Sequence, residues 1–281
     1  MSPSLAPQTA LITGAGRGIG RAMARHLARR GMRVAVAART EVQVEDTVAA
    51  IAEAGGEALA LVCDVLDLES VQAAVTRVCD AWDRLDLLIN NAGSLVSVGP
   101  LWQTDPREWS HDVDVNVRGV YHGCRVAVPV MLAAGRGRIV NLAGGGTAGP
   151  FLNASAYATS KAAVMRLTEN LAAELDAARA PVRVFAVTPG LVRTAMTEQF
   201  LHTDQGRRWM QHTAGSLQRG QDVSPQLVSE LVAAIAGGEL DAYHGRLLSA
   251  PHDAGDLPAL ARAAEGLADD EDRRRLRIIR A

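Results

Sequence analysis

The chain has 281 residues, of which 29 are basic and 31 acidic, giving a net charge of −2. Hydrophobic residues make up 48% of the sequence and charged residues 21%, and the mean hydropathy is +0.05. This balance predicts a soluble protein with a large core, and it argues against a basic nucleic-acid-binding surface or an anionic-membrane-binding surface. A single domain over residues 1–281 suits this length, although length alone would also permit two domains.

Cysteine and histidine spacing bears on metals and on the redox compartment. Cys63, Cys79 and Cys124 are odd in number and lack Cys-x-x-Cys spacing, and the seven histidines show no ligand spacing. The pattern is typical of reduced thiols and predicts no metal site. No apolar run reaches the length of a membrane span, and residues 1–8 form a short lead-in without a basic start. We therefore expect a cytoplasmic protein with no membrane or nucleic-acid partner.

A glycine-rich turn follows the first predicted strand. The strand covers residues 9–13, and a helix follows the turn to about Arg30. Glycine lets backbone N–H groups approach a phosphate, and a helix N-terminus favours negative charge. This order of strand, turn and helix therefore predicts a dinucleotide site. Its candidate residues are Gly14, Gly16, Arg17, Gly18, Ile19 and Gly20.

The end of the second predicted strand bears on the choice of dinucleotide. The strand lies within residues 31–39 and ends at Ala37, Ala38 and Arg39. An acidic residue here would bind the ribose 2′-hydroxyl of NAD, whereas Arg39 and Arg17 would attract a 2′-phosphate. We expect NADP(H) to be favoured and NAD(H) to remain possible. The alternative is that Arg39 is a solvated charge at the end of a strand.

Strands continue to alternate with helices along the chain. Further strands are predicted at residues 58–63, 86–89, 138–142, 182–187 and 245–248. The third strand ends at Asp64 and Val65, where Asp64 could accept a hydrogen bond from adenine or serve as a turn residue. The alternation predicts an α/β doubly wound parallel sheet with its ligand at the carboxyl ends of the strands. Between strands, we expect a long helical region over 106–134, irregular structure over 195–222 and a helix over 224–236.

Tyr157 and Lys161 are four residues apart, and apolar residues recur at helical spacing as far as Leu175. Positions i and i+4 share one face of a helix, so an ammonium would lie beside a phenol. A nearby positive charge favours the phenolate, which predicts a lowered pKa for Tyr157 and a role in proton transfer near neutral pH. A chance occurrence of this spacing is the alternative.

Together these motifs resemble the short-chain dehydrogenase/reductase family in its one-domain form of roughly 250 residues, over about residues 8–250. The glycine turn resembles the cofactor loop of that family, Asn90-Asn91-Ala92-Gly93 its sheet-stabilising motif, and Tyr157-x-x-x-Lys161 its catalytic pair. Pro189-Gly190 with Thr194 resembles its nicotinamide-side loop. The resemblance implies a Rossmann-type sheet of about seven parallel strands that binds NAD(H) or NADP(H).

The resemblance also implies residue roles. Tyr157 would be the general acid/base, Lys161 would also bind the nicotinamide ribose, and Asn116 would hold a water on the proton relay. It further implies a homodimer or homotetramer. The remaining cofactor contacts would come from Asn91, Ala92, Gly93, Pro189, Gly190, Val192 and Thr194.

One position departs from the family pattern. Members have a serine about thirteen residues before the tyrosine that bonds the substrate oxygen, and counting back from Tyr157 reaches Gly144. Loss of such a donor typically costs ~10²–10³ in rate. Thr147, Ser155, Asn153 or N–H groups of the glycine run could replace it, and loop variation could displace the count. We lean towards a replacement, because consecutive glycines suggest backbone close to a ligand.

These observations predict an NADP(H)-preferring oxidoreductase that interconverts a carbonyl and a secondary alcohol on a small organic molecule. The substitution at Gly144 leaves two rivals open, namely a non-redox isomerase, lyase or cyclase and a catalytically weak nucleotide-binding protein. Residues 250–281 extend beyond the last strand, with acids at 269–271 preceding Arg273, Arg274 and Arg275 by four residues. That spacing predicts a solvated helix. A cover over the substrate cleft or a subunit contact is its expected use.

Overall fold

Seven parallel strands form one sheet in the computed structural model, which describes residue 5 and residues 8–263. The strand order is β3-β2-β1-β4-β5-β6-β7, and every neighbouring pair is parallel. The strands are β1 (Thr9–Thr13), β2 (Arg33–Ala38), β3 (Ala58–Val62), β4 (Leu87–Asn90), β5 (Gly137–Leu142), β6 (Val182–Thr188) and β7 (Leu247–Ser249). The predicted doubly wound, Rossmann-type α/β fold is confirmed.

The strand order reverses between β1 and β4, which lie side by side although two strands separate them in sequence. Loops leaving these two strands turn towards opposite faces of the sheet, and a crevice opens at their carboxyl ends. The glycine turn after β1 and the Asn90–Gly93 segment at the end of β4 both belong to this edge. The topology therefore places the two motifs beside each other.

Helices cover both faces of the sheet. Apolar side chains of α1, α2 and α10 form one buried cluster against it, and those of α3, α5 and α6 form a second. The helices are α1 (Gly18–Arg29), α2 (Glu41–Ala52), α3 (Leu68–Trp82), α4 (Pro106–Val113), α5 (Gly119–Ala133), α6 (Ser155–Ala177), α7 (Ala195–His202), α8 (Asp204–Trp209), α9 (Gln211–Gln218), α10 (Pro225–Gly237), α11 (Ala250–Asp253) and α12 (Leu257–Ala263). Within the described residues, no helix combines the length and the apolar character needed to cross a membrane.

The segment 195–222 is not irregular, as its sequence suggested, but forms the three short helices α7, α8 and α9. Thr194 and Thr203 cap the first two of these helices with their side chains. Phe200, Met210 and Leu217 are buried beneath them. Helices of only six to eight residues are too short to show a clear apolar period, so the pattern did not reveal them.

The predicted helical region over 106–134 is interrupted. A π-helical turn at Asp114–Arg118 separates α4 from α5 and contains Asn116. Single π turns inside helices occur frequently at functional sites, because they change the direction of side chains and the pairing of backbone groups. The interruption therefore coincides with a candidate catalytic residue.

The described part of the C-terminal extension packs onto the main core. Tyr243 donates its hydroxyl hydrogen to the carbonyl of Leu260 at 2.8 Å, and Leu260 is buried in the α12 helix. The start of the extension therefore packs on the face of the sheet that α1, α2 and α10 cover. The predicted acid-base helix near residues 269–275 lies outside the described residues.

Candidate active site

The turn between β1 and α1 presents an uncapped helix N-terminus to the crevice. Gly14 and Gly18 adopt φ of +65° and +55°, which L side chains rarely adopt. A methyl group at Gly20 would lie 2.5 Å from both the Gly14 carbonyl oxygen and the Asn91 amide nitrogen. Arg17, the N-cap residue of α1, makes no side-chain cap, and the first turn contains no acid. The N-terminal amides are thus available to an anion.

A cleft of about 340 Å³ opens from this turn along the carboxyl ends of the strands. All the predicted cofactor residues line it except Gly190 and Val192. Val192 is buried, and its carbonyl accepts from the Thr197 hydroxyl at 2.8 Å. Gly190 has a φ of +81° and packs against Pro251, where a methyl group would lie 2.5 Å from the ring. These two residues therefore support the loop after β6 through contacts outside the cleft lining.

The end of the cleft beside β2 and β3 carries positive charge. Arg17 and Arg39 are exposed there, and neither guanidinium has an ion pair or hydrogen bond among the described residues. Asp64 lines the same end, and one of its oxygens accepts from the Leu66 amide at 3.0 Å. Asp64 is therefore a turn residue, one of the two alternatives, with its other oxygen left for a ligand.

Asn91 ties β1 to β4. Its side-chain amide donates to the carbonyls of Thr13 at 2.8 Å and Gly14 at 3.1 Å. In return, the Thr13 hydroxyl accepts from the backbone amides of Asn91 and Ala92. The Asn91 side chain thus serves the scaffold, and it holds the glycine turn beside Ala92 and Gly93 in the cleft wall.

Tyr157 and Lys161 lie in the first two turns of α6 and line the cleft. The expected lowering of the tyrosine pKa is wrong for this structure. Burial of the phenol, with the negative charge of Asp112 adding to it, raises the pKa of Tyr157 to about 12. The Lys161 ammonium lies 5.5 Å from the ring centroid and donates to the Leu142 carbonyl at 2.8 Å. At neutral pH, Tyr157 is therefore a phenol that can donate a proton.

Burial also affects Lys161, whose side chain is withdrawn from water between α6 and β5. Removal of the ammonium from water lowers its pKa from 10.5 to about 8. Below pH 8 this costs about 3 kcal/mol of folding free energy, and the cost is relieved as pH rises from there towards the unfolded value. A cation kept in such a place at the expense of stability is typical of a functional site.

The predicted serine position, Gly144, lies directly against the tyrosine. A methyl group built at Gly144 would lie 2.5 Å from the Tyr157 hydroxyl oxygen. A methyl group at Gly145 would lie 3.2 Å from the Phe151 ring, and one at Gly146 would lie 2.5 Å from Ala158. The three glycines thus make room for Tyr157, Phe151 and Ala158 of this chain. From the sequence we expect the backbone of the glycine run to lie close to a ligand, and these contacts are a different reason for the glycines.

None of the three side chains considered as replacements for the serine lines the cleft. The Thr147 hydroxyl donates to the Gly144 carbonyl at 2.7 Å and accepts from the Gly144 amide. The Ser155 hydroxyl accepts from the Trp109 indole N–H at 3.1 Å, and the Asn153 amide donates to the Trp209 carbonyl at 2.9 Å. All three hold loops together around the entrance to α6.

Asn116 is fully buried behind the cleft and does not line it. Its amide nitrogen donates to the Ser94 carbonyl and to the Ser160 hydroxyl, each at 2.9 Å. Its amide oxygen accepts from the Ser94 backbone at 2.8 Å. The side chain therefore joins the segment after β4 to the helix that carries Tyr157.

Comparison with known proteins identifies the family. A family model described as short chain dehydrogenase matches residues 8–205, which is more than half of the chain. The chain belongs to the short-chain dehydrogenase family. It is therefore an oxidoreductase, as the motifs predicted, and an NAD(P)-dependent one.

Relatives of this short-chain dehydrogenase differ in cofactor. The chain is 34% identical to a cyclopentanol dehydrogenase from Comamonas sp., over 85% of this chain and 93% of the relative. A crystal structure of a single-substitution variant of actinorhodin polyketide ketoreductase with NADPH is 33% identical, with a TM-score of 0.78 over 88% of this chain and 97% of that one. An NAD⁺-bound xylitol dehydrogenase is 30% identical, with a TM-score of 0.77 over 86% and 96%.

One side of Tyr157 in this short-chain dehydrogenase packs against apolar side chains. The Phe151 ring meets Tyr157 edge-on with centroids 6.1 Å apart. The two aromatic residues belong to one cluster with the buried side chains Leu95, Val98, Ala154, Phe200, Met210 and Ala214. These residues come from the segments after β4 and β5, from α6, α7 and α9 and from the junction of α8 with α9, so the cluster could be found only once the chain had folded.

Sequence reasoning also missed polar residues of the site. Thr40 and Gln43 line the cleft beside Arg39. Asp112 and Ser160 are buried behind the cleft. Asp112 accepts a hydrogen bond from the Ser94 hydroxyl, and Ser160 donates one to the Tyr157 carbonyl. The four-residue spacing of Asp112 and Asn116 was the one available signal, because it places both on one side of a helix.

Proposed function

We propose that this short-chain dehydrogenase interconverts a carbonyl and a secondary alcohol on a small, uncharged, apolar molecule, and that it prefers NADP(H). The position of Tyr157 carries the proposal. Its phenol lines the cleft, with Lys161 beside it and the apolar cluster around it. A protonated phenol in apolar surroundings suits a neutral carbonyl oxygen as partner.

The residues of the cleft fit a dinucleotide. Uncapped amides at the start of α1 suit a pyrophosphate, and Arg17 and Arg39 suit an additional phosphate at the β2 end. Lys161 would hold the nicotinamide ribose. When bound, the nicotinamide supplies a hydride to the carbonyl carbon or accepts one from the carbinol carbon.

The chain would manage the proton. In reduction, the Tyr157 phenol donates its proton to the carbonyl oxygen, and in oxidation its phenolate removes the proton of the alcohol. Lys161 places a positive charge near the phenolate as it forms. Asn116 would hold a relay water through its main chain, because both of its side-chain N–H groups already donate to protein atoms.

One observation bears on the non-redox rival, an isomerase, lyase or cyclase. Gly144 supplies no side-chain donor, so the substrate oxygen would meet Tyr157 without a second hydroxyl. Tyr157 alone could still supply the proton for a reaction that needs one proton donor and no hydride. Product formation with the cofactor omitted is the outcome that would support this candidate.

A matched pair of ketones tests the proposed function. We expect NADPH to be consumed with neutral aromatic and alicyclic ketones such as acetophenone. The corresponding acetylbenzoate should give a kcat/KM at least about tenfold lower, because its carboxylate would have to leave water in an apolar site. Consumption of NADPH with none of the neutral ketones, or a preference for the carboxylate, would contradict the proposal.

Cofactor preference should depend on Arg39. Arg17 and Arg39 are exposed at the β2 end, and the strand end carries Ala37 and Ala38 in place of an acid, so NADPH should bind more tightly than NADH and lose more affinity as salt is added. Arg39→Asp should reverse the preference. Calorimetric titration of both cofactors into both proteins measures this, with Arg29→Asp as a control for a charge change elsewhere. Equal affinities of the unmodified protein for NADPH and NADH would refute the preference.

Assembly into a homodimer or homotetramer is also proposed. Tyr121 and Leu132 on α5 are 50% and 42% exposed, and Leu167 and Leu171 on α6 are only half-buried. Pairing of this α5/α6 face between two copies would cover these side chains. Light scattering at micromolar concentration should give at least twice the chain mass of 29.7 kDa. Tyr121→Asp should shift the mass towards the monomer, and a monomeric unmodified protein would refute the proposal.

We also propose that the protein is located in the cytoplasm. Cys63, Cys79 and Cys124 are all free thiols, and Cys63 and Cys124 are buried. Thiols that persist unpaired suit a reducing compartment, where NADPH is also available.

A further inference from the structure

A fully buried carboxylate lies behind the active site. Asp112 in α4 accepts a hydrogen bond from the Ser94 hydroxyl at 2.6 Å, from the Val96 amide at 3.0 Å and from the Ser97 amide at 2.9 Å. Its exposed fraction is 0%. Among the described residues it has no ion pair with a cation. Its charge is therefore balanced by donors from a single segment, residues 94–97.

The two backbone amides and the hydroxyl match a carboxylate at this position. A carboxylate accepts at both oxygens, whereas an asparagine amide would accept at one and direct N–H groups at the others. In Asp112→Asn, a side-chain N–H that faces the Val96 and Ser97 amides leaves these donors unsatisfied. In the other orientation of the amide, that N–H faces the Ser94 hydroxyl, which can accept it, and the two backbone amides keep a neutral acceptor in place of a charged one.

The same segment is connected to Tyr157. Ser94 exchanges two backbone hydrogen bonds with the Asn116 side chain, and Asn116 donates to the Ser160 hydroxyl. Ser160 in turn donates to the Tyr157 carbonyl at 2.7 Å. A continuous set of hydrogen bonds thus runs from Asp112 to the helix turn that carries the phenol.

Few charges face Tyr157. Lys161 lies on the same helix, and Asp112 approaches from α4, which packs against α6. The segments after β4 and β5, together with α7 and α9, contribute the apolar cluster that surrounds the ring. The negative charge of Asp112 adds to burial in raising the pKa of Tyr157. Asp112 is thus placed to act on the tyrosine by charge as well as through the hydrogen bonds.

We propose that Asp112 is a positioning residue of the active site, whose carboxylate holds residues 94–97 against Asn116 and whose negative charge acts on Tyr157 across the contact between α4 and α6. The second role rests on the carbonyl chemistry proposed above for Tyr157. The first role does not, since it concerns only the segment that the carboxylate binds.

Two variants separate charge from hydrogen bonding. Asp112→Asn removes the charge and keeps the size, whereas Ser94→Ala removes one hydrogen bond and keeps the charge. Amide hydrogen exchange at Val96 and Ser97, without substrate, reports on the segment. The pH dependence of kcat/KM for NADPH reduction of the best neutral ketone reports on Tyr157. Turnover by the unmodified protein is established first, so failure of the proposed function is recognised separately.

We expect exchange at Val96 and Ser97 to rise about tenfold or more in Asp112→Asn, because an ionised acceptor is lost. Reduction requires the phenol, so its rate falls as Tyr157 ionises, at a higher pH than any fall that follows loss of the Lys161 proton near pH 8. Removing a nearby anion favours ionisation and should move this falling limb to lower pH by about one unit. Ser94→Ala should leave the limb in place.

Four results would overturn the proposal. These are unchanged exchange in Asp112→Asn, an unmoved limb in that variant, an equal movement in Ser94→Ala, and global unfolding of Asp112→Asn on circular dichroism. The last result would make Asp112 a general structural residue. Movement of the limb in Asp112→Asn alone would instead support the electrostatic role.

Discussion

Replacement of Tyr157 by phenylalanine should lower kcat for ketone reduction by about 10²–10⁴, the contribution of a positioned general acid. The ring and its edge-on contact with Phe151 would remain, and only the hydroxyl would be lost. NADPH affinity should change little, because the uncapped start of α1 and the two arginines at the β2 end are untouched. Steady-state kinetics and calorimetric titration of NADPH on one preparation measure both quantities.

Tyr121→Phe is the matched control for this substitution. Tyr121 is half exposed on α5 and lies outside the cleft lining. The same loss of a hydroxyl there should leave kcat unchanged. Full activity in Tyr157→Phe would refute the proposed acid, whatever the outcome at other positions.

Gly144→Ser should lower turnover, by about tenfold to a hundredfold, rather than restore a missing donor. The added Cβ would lie 2.5 Å from the Tyr157 hydroxyl oxygen and would have to displace it. Displacement of a reacting group by about 1 Å can cost about 10² in rate. The ring has little room to retreat, because it is packed into the apolar cluster that contains Phe151.

Gly144→Ala distinguishes crowding from hydrogen bonding. Alanine adds the same Cβ without a hydroxyl, so crowding alone predicts a similar loss in both variants. A serine variant much faster than the alanine variant would show that a lost donor limits the enzyme. Gly149→Ser is the control, since nothing lies within 4 Å of a Cβ at that glycine. Turnover raised above that of the unmodified protein by Gly144→Ser would contradict the account.

The parallel sheet could be predicted because its signals are local. β1 coincides with the predicted residues 9–13, and α1 starts inside the glycine turn that the strand enters. Runs of buried apolar residues ending in turn residues marked the other strands to within two residues at each end. The spacing of apolar residues indicates which face of a helix or strand is buried, so these elements can be predicted from the sequence.

The burial and the charges around Tyr157 could not be predicted from the sequence in the same way. The helical spacing of Tyr157 and Lys161 suggested that charge would lower the tyrosine pKa, yet burial and Asp112 raise it. Burial depends on Phe151, Phe200 and other residues that come together only in three dimensions. Likewise, a glycine in place of serine is visible in the sequence, but the tyrosine hydroxyl that lies against it is not.

Transfer of deuterium tests the central claim most directly. NADPH deuterated at its transferable position is incubated with the protein and a neutral ketone that it reduces, and the alcohol is analysed by mass spectrometry and NMR. The account predicts one deuterium on the carbinol carbon of the product, and at least about a hundredfold less of this product in the same time when Tyr157→Phe replaces the unmodified protein. An unlabelled product, or the same product formed without NADPH, would contradict it.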